Sequence, residues 1–255
     1  MTFRPCIVVP VFNHGDGATA LMDHFAPLGL AVYFVNDGST DDTALKLAEI
    51  AGQYPEVRIV ERPENGGKGA AVVAGLRAAH AEGFSHALQI DADGQHDARD
   101  IPGFLALAEA QPDAVIAGQP VFDDSIPAGR LVGRYLTHVW IWVETLSFTI
   151  KDSMCGFRVY PLAAVIRVTD RVRLGRRMDF DPEILVRLHW DGLRILPLPT
   201  RVIYPAGGTS HFRLWLDNWL ITRMHTRLVF GMICRVMLLR AGRFGGRATR
   251  RNVAG

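Results

Sequence analysis

The chain has 255 residues, of which 49% are hydrophobic, enough for one large α/β core or two small ones. Its three cysteines, Cys6, Cys155 and Cys234, are scattered, which excludes a disulfide framework and a cysteine metal site and points to a reducing compartment. The net charge of +2 hides an asymmetry: residues 212–255 hold nine arginines against one acid, Asp217, so by subtraction residues 1–211 are acidic, at −6. An acidic body with a basic, apolar tail suits an anionic surface, with membrane ahead of nucleic acid.

Met1–Pro10 lacks the apolar core of a secretion signal and reads as a first strand. Apolar, β-branched runs follow at Cys6–Phe12, Ala31–Asn36, Val57–Val60, Ala87–Ile90 and Ala114–Ala117. Helical patterns lie between them at about Gly17–Leu28, Asp41–Gln53, Gly69–Glu82 and Arg99–Ala110. This βαβα rhythm predicts an α/β fold, a mostly parallel sheet flanked by helices. Pro120–Gly129 reads as a loop, Leu131–Ile150 as a long apolar helix and Asp152–Tyr160 as a second loop. Trp140 and Trp142 on that helix read as core. A short helix over Asp181–Asp191 precedes extended segments at Leu193–Leu198 and Arg201–Tyr204.

The expected organisation is a domain over 1–211, an apolar and basic helical tail over 212–240, and a disordered Arg/Gly-rich end over 241–255. The tail's apolar run Leu228–Leu239 is too short to span a bilayer, which needs about 20 residues. Two readings stay open for the tail: an interfacial helix with Trp215 and Trp219 at headgroup level, or a helix covering the domain core.

The run Gln89-Ile-Asp-Ala-Asp-Gly-Gln-His-Asp97 carries the most chemistry. A strand ending in Asp-x-Asp delivers two carboxylates to the C-terminal edge of the sheet, where open α/β sheets bind ligands. Successive strand residues face opposite ways, so the chain must turn at Ala92 for Asp91 and Asp93 to converge. Hard oxygen ligands suit Mg²⁺ or Mn²⁺, and such ions usually accompany phosphate. The pattern therefore indicates a metal-dependent enzyme acting on a nucleotide diphosphate.

Four further segments join it: Val8-Val-Pro-Val-Phe-Asn13, Val35-Asn-Asp-Gly-Ser-Thr-Asp-Asp-Thr43, Asn65-Gly-Gly-Lys-Gly-Ala-Ala-Val72 and Asp152-Ser-Met-Cys-Gly-Phe-Arg158. In this order they resemble the family 2 glycosyltransferases with the Rossmann-like GT-A fold, nearest the polyprenyl-phosphate mannose and glucose synthase branch. The resemblance spans about residues 5–210. It implies inverting transfer from a UDP- or GDP-sugar, assisted by Mg²⁺ or Mn²⁺, to a lipid-linked or hydrophobic acceptor. That acceptor would be a polyprenyl phosphate or a glycolipid- or pigment-type hydroxyl.

The candidate donor contacts are Pro10, Asn13, Asp37, Lys68, Asp91 and Arg158, and the candidate metal contacts Asp91, Asp93, Gln95 and His211; the resemblance implies Asp91, Asp93 and Gln95, whereas His211 ends a glycine loop where many relatives carry Lys or Arg and could close on the diphosphate or complete the metal shell. Asn36 stands where the family usually has Asp. Asp37 also suits an Asx turn with Gly38. Lys68 opens a helix after two glycines, a phosphate-binding arrangement whose spacing is not that of a P-loop. Arg158 suits a structural ion pair equally well, and His96 suits either a structural or a metal-shell role. Asp181 is the candidate base, with Asp179 in reserve, or the N-cap of the helix that Pro182 begins.

The implied location is cytoplasmic, peripheral on the inner face of the cell-envelope membrane, with residues 212–251 on anionic lipid and no nucleic-acid partner. The rival readings are a nucleotidyltransferase and a non-catalytic membrane-binding module. Phe12–Asp16 lacks the basic residue the first would want after strand one. The second has no need of Asp91, Asp93 and Asp181 together.

Overall fold

The computed structural model describes residues 2–122, 128–202 and 212–251, with backbone alone at 122, 128–132 and 239–251. Seven strands form one sheet: β1 (Pro5–Val11), β2 (Val32–Asp37), β3 (Val57–Arg62), β4 (His86–Gln89), β5 (Ala114–Phe122), β6 (Arg158–Pro161) and β7 (Arg194–Val202). Their spatial order is β3-β2-β1-β4-β6-β5-β7. All neighbours are parallel except β6, which runs antiparallel to both β4 and β5.

The period-2 alternation of the central strands sorts their side chains into two core layers. Cys6, Val8, Tyr33, Val35, Ala87, Val115 and Tyr160 face one layer, filled by α3 (Lys68–Ala81), α6 (Leu162–Arg171) and α7 (Phe180–Trp190). Ile7, Val9, Val32, Phe34, Leu88, Ile116 and Val159 face the other, filled by α1 (Gly15–Phe25), α2 (Thr43–Gln53) and α4 (Ile101–Ala110). Both faces of the sheet are thereby dry, which is why its strands read as continuous apolar runs.

Three expectations change. The extended segments placed at Leu193–Leu198 and Arg201–Tyr204 form the single strand β7, paired with β5 through nine registers. Pro197 and Pro199 are tolerated because β7 is an edge strand, and prolines two apart leave their missing N–H groups on the same side. The supposed loop Asp152–Tyr160 ends in β6, whose first residue is the charged Arg158. Residues 162–171, left unassigned from sequence, are helix α6.

The long apolar helix is α5 (Ala128–Thr145), and the tail is α8 (Leu214–Arg251), which continues past residue 240 where disorder was expected. On α8 the positions Asp217, Ile221, Met224 and Leu228 recur at helical spacing. Met224 and Leu228 are 0% exposed within the layer of α3, α6 and α7. His225 bonds Glu144 of α5 at 2.7 Å, Arg227 bonds Glu183 of α7 at 2.6 Å, and Arg235 donates to the Trp190 carbonyl at 2.7 Å. The inward face of the tail thus covers the core. Its outward face leaves Trp215 88% and Trp219 65% exposed, and α5 exposes Tyr135, Leu136, Val139 and Val143. Among the described residues, no helix is long and apolar enough to cross a membrane.

Candidate active site

The strand ends bring the sequence motifs together. β1 ends beside Asn13, β2 ends at Asp37, and the chain leaves β4 into Asp91-Ala-Asp93. Because β6 is antiparallel, it begins at this same edge, with Arg158 opposite Gln89. The first turns of α3 and α7 close the floor with Lys68 and Asp181.

Lys68 is the centre of the charge pattern. Its Nζ lies 2.7 Å from Asp91 Oδ2 and 2.8 Å from Asp181 Oδ2, with all three side chains largely buried. Burial opposes a charged lysine, but the two carboxylates outweigh it and hold Lys68 firmly protonated. Burial alone would lift Asp181; Lys68 and Arg158 reverse that and keep its carboxyl below the usual range. Among the described residues no lysine or arginine pairs with Asp93 in this way, and His96 and Lys68 act on it only as weaker influences. Burial, then the charge of Asp91, pushes its carboxyl above the ordinary value. Gly156 lies against the pair: a Cβ there would stand 2.5 Å from Asp91 Oδ2 and 2.6 Å from Lys68 Nζ, so a side chain at this position would displace one or both.

Asp181 is not the helix cap. α7 starts one residue earlier, after Asp179, and the Asp181 side chain turns to Lys68 and, at 3.4 Å, to Gln89 Nε2. Arg158 is 0% exposed. It donates to the carbonyls of Asp181 and Ser153 at 2.7 Å each and to the Tyr160 hydroxyl at 3.2 Å, and lies 3.7 Å from Asp181 Oδ1. It braces the site from beneath and does not line the groove. Gln89 and Tyr160, which complete this brace, were not singled out from sequence. The available signal was a glutamine, Gln89, within an otherwise buried apolar strand.

Asp37 is 2% exposed and spends its oxygens internally, accepting from Arg62 and from the Gly66 and Gly67 amides at 3.1 and 2.8 Å. It fixes the glycine loop that presents Lys68, where Gly67 has φ 94°. The Asx turn with Gly38 is not its role; Asn36 Oδ1 accepts from the Ser39 amide instead. Asn13, at φ 54°, laces the first two strand-end loops together, its amide donating to Ser39 Oγ at 3.0 Å and its Oδ1 accepting from the Thr40 amide at 2.9 Å. His96 packs against Phe157, 4.0 Å from Asp91 Oδ2, and burial lowers its pKa, so the ring is neutral. Gln95 donates its amide to Asp93 Oδ1 at 3.1 Å. His211 lies outside the described residues.

These groups open into a groove of about 1770 Å³. Pro10, Asp37, Lys68, Asp91, Asp93 and Gln95 line one end; Leu136, Trp140, Ile221, His225, Val229 and Phe230, from α5 and α8, line the other. Trp140, expected in the core, is 43% exposed on this wall. Arg134 also lines the groove, paired with Asp152 at 2.6 Å.

Among the described residues, no three His, Cys, Asp or Glu side chains are grouped to enclose a metal ion. The donor set nevertheless suits Mg²⁺ or Mn²⁺. Among the described residues Asp91 Oδ1 is buried without a hydrogen-bond partner, and Asp93 adds a second hard oxygen donor. Such ions are commonly held by one or two carboxylates plus substrate phosphates, not by an all-protein cage.

The sheet, with its one reversed strand and Asp-x-Asp at the edge, defines the GT-A class of fold. The glucosyl-3-phosphoglycerate synthase of Mycobacterium tuberculosis superposes with a TM-score of 0.63 at 16% identity, over 90% of this chain and 78% of that one. A mannosyltransferase of Pyrobaculum calidifontis does so with a TM-score of 0.54 at 19% identity, over 80% and 58%. More particularly, the chain belongs to glycosyl transferase family 2, whose model matches residues 6–170. It is 28% identical over 200 residues to a dolichyl-phosphate beta-glucosyltransferase of Trichomonas vaginalis (70% of this chain, 58% of that protein). It is 27% identical over 217 residues to the undecaprenyl-phosphate mannosyltransferase of Micrococcus luteus (81% and 86%). The chain thus spans little more than half the length of the first of these relatives.

Proposed function

We propose that this protein moves a sugar from a nucleoside-diphosphate sugar to the phosphate of a polyprenyl-type lipid, with inversion at the anomeric carbon. The observation that carries this reading is the groove, which joins a carboxylate and lysine cluster at one end to apolar walls of α5 and α8 at the other. One end suits a diphosphate and the other a hydrocarbon chain. Relatives named for dolichyl and undecaprenyl phosphate support the acceptor class. Solved GT-A structures bound to UDP-glucose or GDP-mannose with Mn²⁺ support the donor class.

In the reaction an acceptor phosphate oxygen attacks C1 of the sugar, the C1–O bond to the diphosphate breaks, and the nucleoside diphosphate leaves. A divalent ion on Asp91 and Asp93 would neutralise that leaving group. Lys68 adds a cation at the same place, and Arg158 and Gln89 hold Asp181 still. An ionised phosphate acceptor needs no strong base, which agrees with Asp181 being held below its usual range by Lys68 and Arg158. The exposed faces of α5 and α8 would rest at the headgroup level of an anionic, cytoplasmic membrane surface.

Calorimetry with UDP and GDP, with and without Mn²⁺, tests the donor half. One nucleotide should bind in a metal-dependent way. Asp93→Ala should weaken it by about a hundredfold or more, since changes merely behind a metal ligand cost about 10–100-fold. Failure of the wild type to bind either nucleotide would end this reading.

A further inference from the structure

The geometry points to Lys68 as the internal rival of the divalent cation for Asp91, so that the metal enters together with a diphosphate and not alone. The inference rests on the proposed use of a metal by Asp91 and Asp93. Lys68 Nζ contacts both Asp91 Oδ2 and Asp181 Oδ2 within 2.8 Å, a distance at which a compact ammonium satisfies two carboxylates at once. Gly156 stands beside this pair, where an added Cβ would meet Asp91 and Lys68, and the fully buried Arg158 sits behind Asp181.

A dication on Asp91 would stand a few ångströms from this ammonium. At an effective dielectric near 20 and a few ångströms' separation the repulsion of such charges is worth about tenfold in affinity per ångström of approach. A diphosphate removes the conflict, because it brings oxygens for the metal and an anion for the lysine. Lys68 then exchanges Asp91 for the diphosphate while keeping Asp181 as its anchor. Asp181 is in this view a positioning residue, the pivot on which Lys68 turns.

Mn²⁺ affinity measured without nucleotide tests the inference. Lys68→Gln should bind Mn²⁺ about tenfold or more tighter than wild type, yet bind the nucleotide more weakly; Lys68→Arg should stay close to wild type for Mn²⁺. An unchanged or weaker Mn²⁺ affinity in a folded Lys68→Gln protein overturns the inference. Should that variant not fold, the wild type decides. The chain has three lysines, at 46, 68 and 151, so ¹⁵N-lysine labelling gives three ammonium signals. Mg²⁺ alone should leave the Lys68 signal where it stands in the metal-free protein, as it leaves the other two; a Lys68 signal that Mg²⁺ alone displaces overturns the inference. Both readouts omit nucleotide, so failure of the donor reading, seen as absent nucleotide binding by the wild type, is separately visible.

Discussion

Asp93 and Asp181 face one groove edge with opposite electrostatic histories. Asp181 sits against Lys68 and Arg158 and stays ionised well into acid. Asp93 is lifted by burial and by Asp91, so it is the first of the two to take a proton as pH falls. A carboxyl whose folded pKa exceeds its unfolded one adds stability below the unfolded value, and that contribution is lost as pH rises through the folded value. Metal binding runs the other way, because it needs the ionised form. Mn²⁺-dependent nucleotide affinity should therefore be flat at neutral pH and decline on acidification with a midpoint above 3.8, the ordinary aspartate value. Calorimetry across pH in two buffers of different ionisation enthalpy reads this directly, with protons released on binding near the midpoint. A midpoint at or below 3.8 would show that Asp93 is not the titrating ligand.

At the scale of elements, α8 divides its work between two faces. Met224 and Leu228 are wholly buried, while Trp215 and Trp219 point outward. The faces should separate by mutation. Met224→Ala leaves a cavity in the core layer and should cost about 2–5 kcal/mol, read as a lower denaturation midpoint. Trp215→Ser with Trp219→Ser should leave that midpoint in place and reduce binding to anionic vesicles, more visibly at low salt. If the tryptophan pair destabilised the fold as Met224→Ala does, the outward face would be packing surface and the membrane reading would lose its support. The division was hidden in the sequence because arginines fall on both faces, and two of them, Arg227 and Arg235, are tied to Glu183 and Trp190.

For the molecule as a whole, the first half of the fold was readable because its signals are local. Each parallel strand announces itself as an apolar run followed by a helical pattern, and Asp91, Asp93 and Lys68 lie in short motifs at strand and helix ends. The brace beneath them was not readable. Arg158, Gln89 and Tyr160 meet only because a four-residue strand inserts backwards between β4 and β5, and no local pattern states that register. The crowding at Gly156 follows from the same insertion, since it is the arrival of this segment beside Lys68 that would set a side chain against Lys68 and Asp91.

The sheet order also sets a timetable for folding. The three strands β3-β2-β1 pair with near neighbours in sequence, Ile7 with Val32 and Val32 with Val57, whereas Pro5 meets His86 of β4 from the far end of the first ninety residues and Gln89 waits for Asp181 across 92 residues. Long-range closures are slow because loop entropy is spent before contacts repay it. Pulse-labelled hydrogen exchange during refolding should protect β1 to β3 before β5 to β7; simultaneous protection would contradict this order. Lys68 and Asp91, only 23 residues apart, belong to the early half. The counter-charge is in place before Asp181 arrives, so the maturing chain does not gather its buried carboxylates without a cation among them.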